Sequence, residues 1–423
     1  MRRAVILAAL CLPLAAQSDP KERVKNIGEL EKQGAGALPE LAGYLKDSDD
    51  EVRREAVKSI VAVGTQKSLD PLVEAARDND EEIQIRAADG LVNFYYPGYV
   101  QSGLSGSIKR IGRGIKGKFT DTNDQVIAGY LEPREDVVAA IAHQIANGAS
   151  LTAKANAARA AGVLRARATT PQLLDALRSK DTTLMYESLV AIQKIREPKT
   201  AEGIRFLLLD PNEKVQLTAI ETTGLLRNRD ALPGLREALD RSKKDKVRAA
   251  ALSAIAMVPD EGNRYLFDTF IKDRDDDMRA GAAEGYARLK TPSDAEKLRL
   301  LFADEKKMKP RLAMAFALVN LDHREISEFS PLQYLINTLN SSSWQGIAAA
   351  YLRELCYEKA VREGLYAVIN QRTKDEKIHL AEILARSGDE ATVPVIENLT
   401  RDADVEVGQV AARELRILRG RLP

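Results

Sequence analysis

Asp50-Glu51-Val52-Arg53-Arg54-Glu55-Ala56 is the stretch whose reading decides the fold. Close variants of it return as Asp245-Lys246-Val247-Arg248 before Ala251 and as Asp277-Met278-Arg279 before Ala282. The apolar member keeps time along the chain: Ile83 lies 31 residues after Val52, and Leu184, Val215, Val247 and Met278 are spaced 31, 32 and 31. A proline marker runs in phase with it, Pro39 and Pro71 being 32 apart and Pro171 and Pro233 62 apart. A period of this length marks stacked helix pairs, each too small to bury its own apolar face.

Residues 38–63 show how one pair is specified. Pro39 fits a first helical turn, where its missing N–H has no partner to lose. Leu38, Leu41 and Leu45 make an apolar stripe at spacings of three and four. The Lys46-Asp47-Ser48-Asp49-Asp50 turn ends this helix, and Asp49 or Asp50 caps the next. Val52, Ala56, Val57 and Ile60 then bring the second helix against the first. The pattern predicts an all-α chain: a short capping helix over 21–33, then about eleven helix pairs whose first helices begin near 38, 68, 135, 170, 199, 230, 260, 291, 330, 359 and 390.

The regular residues of the unit have structural readings. Arg53, Arg86, Arg248 and Arg279 each travel with Asp or Glu a few residues away, which favours a ladder between adjacent pairs over a row of anion sites. Small Ala56 is a packing requirement.

The first sixteen residues follow another pattern. Basic Met1-Arg2-Arg3, apolar Ala4 to Leu12 and small-residue Pro13-Leu14-Ala15-Ala16 have the layout of a secretory signal, and the apolar run is too short to span a bilayer. Bulky Leu10 before Cys11 argues against a lipid anchor there. The expected domains are therefore a signal peptide over 1–16, a cap with two helix pairs over 17–94, an insert over 95–133 and nine further pairs over 134–423. The expected location is the periplasm or the extracellular space. Removing Arg2 and Arg3 from 63 basic residues leaves 61 against 62 acidic ones, a net charge of −1. Cys356 then stands alone, so no internal disulfide forms.

The period fails between 95 and 133. Tyr99 to Thr120 carries five basic residues and no acidic one, an electropositive stretch on an acidic body. Leu104, Ile108, Ile111, Ile115 and Phe119 are spaced 4, 3, 4 and 4, while Lys109, Arg110, Arg113, Lys116 and Lys118 lie largely off that stripe. Five glycines between 103 and 117 weaken any helix here. Together with Tyr99, these residues are candidate contacts for a partner or for an anionic membrane surface. Packing onto the repeats is the structural alternative, which also applies to the aromatic cluster Tyr95, Tyr96, Pro97 and Tyr99. A slightly acidic exported chain argues against nucleic acid, and the glycine spacing is not that of a phosphate loop.

Catalytic chemistry is sparse. His143, His323 and His379 fall in three different units, without a second His or a Cys in metal-ligand spacing. The acidic run Lys272-Asp273-Arg274-Asp275-Asp276-Asp277 lacks the order of a calcium loop and its closing Glu, so it reads as a capping turn. Trp344, after Asn340-Ser341-Ser342-Ser343, either fills a gap between units or offers a contact side chain. No catalytic, cofactor or metal residue is assigned.

The two-helix unit resembles HEAT repeats, most closely the short bacterial repeats of the phycobilisome-lyase type. The resemblance rests on Leu38-Pro39-Glu40-Leu41 with Asp50 to Ala56, Leu69-Asp70-Pro71-Leu72 with Ile83 to Ala88, and Ala231-Leu232-Pro233-Gly234-Leu235 with Lys246 to Ala251. It implies a right-handed superhelix with second helices inside and protein binding as the usual role. Some such proteins are lyases or DNA glycosylases, but no residue pattern of either is present. The expectation is a non-enzymatic scaffold outside the cytosol, holding a protein partner on its concave face and through the insert. A peripheral membrane protein using residues 104–119 is the alternative.

Overall fold

The computed structural model describes residues 19–101, 109–110 and 125–422. The proposed signal peptide lies outside them. The helix Pro20–Glu31 opens the described chain, and eleven helix pairs follow, numbered here as repeats 1 to 11. The first helices are Leu38–Gly43, Leu69–Ala75, Glu135–Asn147, Thr170–Ala176, Ala201–Ile204, Leu232–Arg241, Arg264–Phe270, Ala295–Asp304, Pro331–Thr338, Lys359–Val368 and Val393–Leu399. The second helices are Asp50–Val63, Glu81–Tyr95, Leu151–Val163, Thr182–Ile195, Glu213–Leu226, Asp245–Ala256, Asp276–Leu289, Met308–Asn320, Gln345–Leu355, Lys374–Ser387 and Val405–Arg421. All eleven predicted starts are met to within a few residues, the spread being short 3-10 turns that lead into several of the first helices.

The chain forms two units. Among the described residues, one holds 19–101, 109–110 and 133–172; the other holds 125–132 and 173–422. Within each, consecutive second helices pack side by side and most first helices pack on their own second helix. The period-marking residues Val52, Ile83, Leu184, Val215, Val247 and Met278 are all buried.

The recurring D-x-D turn explains itself once its hydrogen bonds are followed. The first acid closes the turn: Asp47, Asp78, Asp210, Asp273 and Asp402 each accept the backbone N–H two residues on, at 2.8–2.9 Å. The third residue caps the second helix, as Asp49 does for the N–H groups of Glu51 and Val52 and Asp275 for those of Asp277 and Met278. Each such cap stabilises by about 1 kcal/mol. The arginine after the apolar residue joins repeats. Arg53 bonds the turn carbonyl of Asp47 through Nη1 and pairs with Asp78 of the next repeat at 2.9 Å. Arg279 does the same with Asp273 O and Glu305, and Lys377 reaches Asp402 at 2.7 Å. Two others depart: Arg86 pairs with Glu82 in its own helix and Arg248 stacks over Phe270. The expected ladder is therefore present, built from some of the arginines.

In the first unit, repeats 2 and 3 pack together across the sequence break. Gln144 Nε2 donates to Ala76 O and Gln84 O, Asn156 Nδ2 donates to Asp89 Oδ1, and the ends of the insert are pinned where Arg134 N–H donates to Tyr95 Oη at 3.0 Å. The break is an insertion into a continuous stack.

Candidate functional site

The insert holds most of the candidates read from sequence. Leu104, Ile108, Ile111, Arg113, Ile115, Lys116, Lys118 and Phe119 lie outside the described residues. Lys109 and Arg110 are described in backbone only, as two residues paired antiparallel with Val100 and Gln101. That pairing is extended, so the helical spacing does not hold at 109–110. Tyr99 is buried, 7% exposed, rather than presented to a partner. The end of the insert packs within the second unit. Ile127 is buried, Gln125 O accepts from Lys194 Nζ at 3.1 Å, and the Tyr130 ring sits so close to Gly420 that a Cβ there would meet it at 2.5 Å. Only glycine admits this contact.

In repeats 6 to 8, residues 249–256, 280–287 and 312–319 of three successive second helices are buried throughout. Side chains from both neighbours meet over Met308–Asn320: Arg288 of repeat 7 donates from Nε and Nη2 to the two carboxylate oxygens of Glu354 in repeat 9, both at 3.0 Å. Tyr351 Oη donates to Glu284 at 2.5 Å, and the Phe316 and Tyr351 rings stack 4.6 Å apart beneath the guanidinium. Burial alone would lower the Arg288 pKa, but Glu354 and Glu284 outweigh it and hold the guanidinium above its ordinary value. Glu354 is in turn held below the usual carboxylate range, Arg288 overcoming the opposing effect of burial. These stretches of the second helices therefore offer no exposed surface to a partner.

A shallow cleft of about 390 Å³ lies in the second unit where the turns of repeats 7, 8 and 9 meet. Trp344 and Ile347 form its apolar side, with Met308. Its two carboxylates are already paired, Asp277 with Lys309 at 2.5 Å and Asp276 with Arg279 at 2.8 Å. Lys306 and Lys307 are exposed at its rim. Both readings of Trp344 meet here: it fills space between repeats and lines a surface. The cleft offers no nucleophile beside a base.

Cys356 is buried and its thiol is pushed up to about 12, which leaves it protonated and inert. His143 is exposed, and His379 lies 3.2 Å from both Glu382 and Gln345. No group of three metal-ligating side chains occurs among the described residues. No helix among them is long and apolar enough to cross a membrane.

Sequence reading missed the loop between repeats 8 and 9. There Phe329 stands 83% exposed, and Tyr357, at the next inter-repeat turn, 67%. One signal pointed to it: the first helices expected near 291 and 330 are further apart than the 31-residue period allows. Phe329 also has φ of +66°, and it is the one aromatic residue with positive φ among the described residues. For a bulky side chain this is a strained conformation costing roughly 1–2 kcal/mol.

A family model described as HEAT repeats matches residues 7–92 and 204–287. It does not single out the phycobilisome-lyase type. No curated protein matches the chain. Solved structures that resemble it include an engineered protein (16% identity, TM-score 0.32, 90% of this chain and 98% of that one) and YibA of Escherichia coli (16%, 0.40, 71% and 97%). Importin beta is a third (10%, 0.40, 91% and 56%). The repeat architecture rests on the helices themselves and on the family match.

Proposed function

We propose that this chain, in which a HEAT-repeat family model matches residues 7–92 and 204–287, is a non-enzymatic scaffold that binds another protein outside the cytosol. The observation that carries this reading is the fate of its recurring polar side chains. The turn acids close turns, cap helices and bind the next repeat, so what remains is surface rather than a reaction centre. The buried thiol and the separated histidines support it. With those stretches of the second helices buried in repeats 6 to 8, partner contact there falls to the rest of their surface. The export reading rests on the pattern of residues 1–16.

The test uses the protein spanning residues 17–423, immobilised and exposed to envelope extract under mild conditions. A partner recovered at stoichiometric yield is then purified and titrated calorimetrically. Saturable binding of micromolar strength or better is the expected result, and repeated failure to recover any protein would overturn the reading. Residues 1–40 fused to alkaline phosphatase test the location: phosphatase activity is expected, and an inactive fusion would remove the export proposal.

A further inference from the structure

The loop from Asp322 to Ser330 spends structure on holding one side chain in water. Ser330 Oγ donates to Glu325 O at 2.8 Å and accepts the N–H groups of Ser327 and Gln333, while Ser330 N–H donates to Ser327 O at 3.0 Å. Ile326 packs toward Gly364 of Lys359–Val368, and Arg324 pairs with Glu358 at 2.5 Å. The loop is thus fastened on both sides of Phe329. Its ring gains no burial from this arrangement, and its backbone carries strain.

A mobile loop exposing a Phe by chance would relax its backbone; a fastened one that keeps positive φ fixes the direction in which the Cα–Cβ bond of Phe329 leaves the loop. Glu358, which receives Arg324, adjoins Tyr357, so one ion pair ties together the loops that carry both aromatics. The exposed charge flanking Phe329 is acidic, while exposed Lys359 stands near Tyr357. Arg324 is taken up by Asp322 and Glu358, whereas Glu325 and Glu328 are exposed beside Phe329.

From this we infer that the inter-repeat edge of repeats 8 to 10 is a protein-docking surface, with Phe329 as the preorganised anchor and Tyr357 as a second contact. Its partner is a protein with an apolar pocket rimmed by lysine or arginine. The apolar pocket takes the ring, whose supporting backbone is already ordered before binding, and the basic rim meets Glu325 and Glu328. This rests on the scaffold reading and assigns it a surface and a partner chemistry.

The experiment places the photoreactive p-benzoylphenylalanine at position 329, at 357 and, as a control, at 265, where another exposed tyrosine sits. Irradiation of intact cells making the full-length chain is expected to give one adduct with one protein from 329 and 357 and none from 265. That protein, purified, is expected to bind the wild type in a salt-weakened manner and the Phe329→Ala variant at least ten-fold more weakly. Circular dichroism shows that the variant is folded, and Glu328→Gln, expected to weaken binding two- to three-fold, is a second variant that leaves the loop backbone alone. An adduct only with lipid, only with a second copy, or none at all would overturn the inference, as would equal affinity of Phe329→Ala. A partner recovered by the immobilised protein but indifferent to Phe329→Ala would leave the scaffold reading standing and remove this surface.

Discussion

Repeats 7 to 9 depart from the ordinary distribution of side chains in opposite directions. The helix Asp276–Leu289 takes Arg288 almost wholly out of water, 8% of its side chain remaining exposed, while the loop before Pro331 leaves Phe329 almost wholly in it. The two departures differ in how completely they are compensated. Arg288 has two carboxylates, the Ala256 carbonyl and the Phe316 ring around it. Phe329 has a fastened backbone and no packing for its ring. A fully compensated irregularity belongs to the fold; one compensated only in its position is a candidate for recognition.

The largest expected effect comes from breaking the compensated side. Arg288→Ala leaves Glu354 with half-exposed Arg227 at 3.3 Å and strips Glu284 of its cation. Removing one partner of such a buried network costs about 3–5 kcal/mol, because the remaining charges stay desolvated. A urea titration of the variant should show the midpoint fall accordingly, and Arg288→Met combined with Glu354→Leu should recover much of the loss. A cost below about 1 kcal/mol would mean that water already reaches the cluster.

The sequence showed the period, the caps and the ladder because each is local: Asp47, Asp49 and Arg53 act within six residues or one repeat of one another. It could not show the Arg288 cluster, in which Glu354 and Tyr351 lie about two repeats from Arg288 and Glu284 and meet them only because the neighbours of Met308–Asn320 converge. The cleft at Trp344 was half legible, since Lys307 stands where other turns carry the capping acid, whereas Phe329 was hidden by its ordinary company. Residue identity does not reveal a dihedral angle. The insert drew attention by charge and glycine content; the residues of its apolar stripe lie outside the described ones, and Lys109 and Arg110, which lie off the stripe, are paired in extended form with Val100 and Gln101.

An intermediate case sharpens the comparison. Glu221, on the inner helix Glu213–Leu226, is partly buried, and burial raises its carboxyl to about 7. A carboxyl whose folded pKa is raised contributes stability that is fully present below its unfolded value, about 4.5, and is lost as pH rises through 7. The wild type should therefore lose roughly 2–3 kcal/mol of stability across this window from this group alone. Glu221→Gln should match the wild type near pH 4 and exceed it near pH 8, measured by urea unfolding at both. Parallel pH profiles for the two proteins would show that Glu221 is solvated.

The smallest effect is the most discriminating, because its sign differs between the two regions. Replacing a residue that serves the fold lowers stability, as with Arg288. Phe329→Gly removes a left-handed backbone penalty that a glycine does not pay, offset in part by the greater freedom of glycine in the unfolded chain. With 83% of the ring already in water, little burial is lost. The net expectation is no loss and up to about 1 kcal/mol gained, a rise of a few degrees or less in Tm for a chain of this size. A drop of 1 kcal/mol or more would place Phe329 with Arg288, among residues kept for folding, and would take the docking surface away with it.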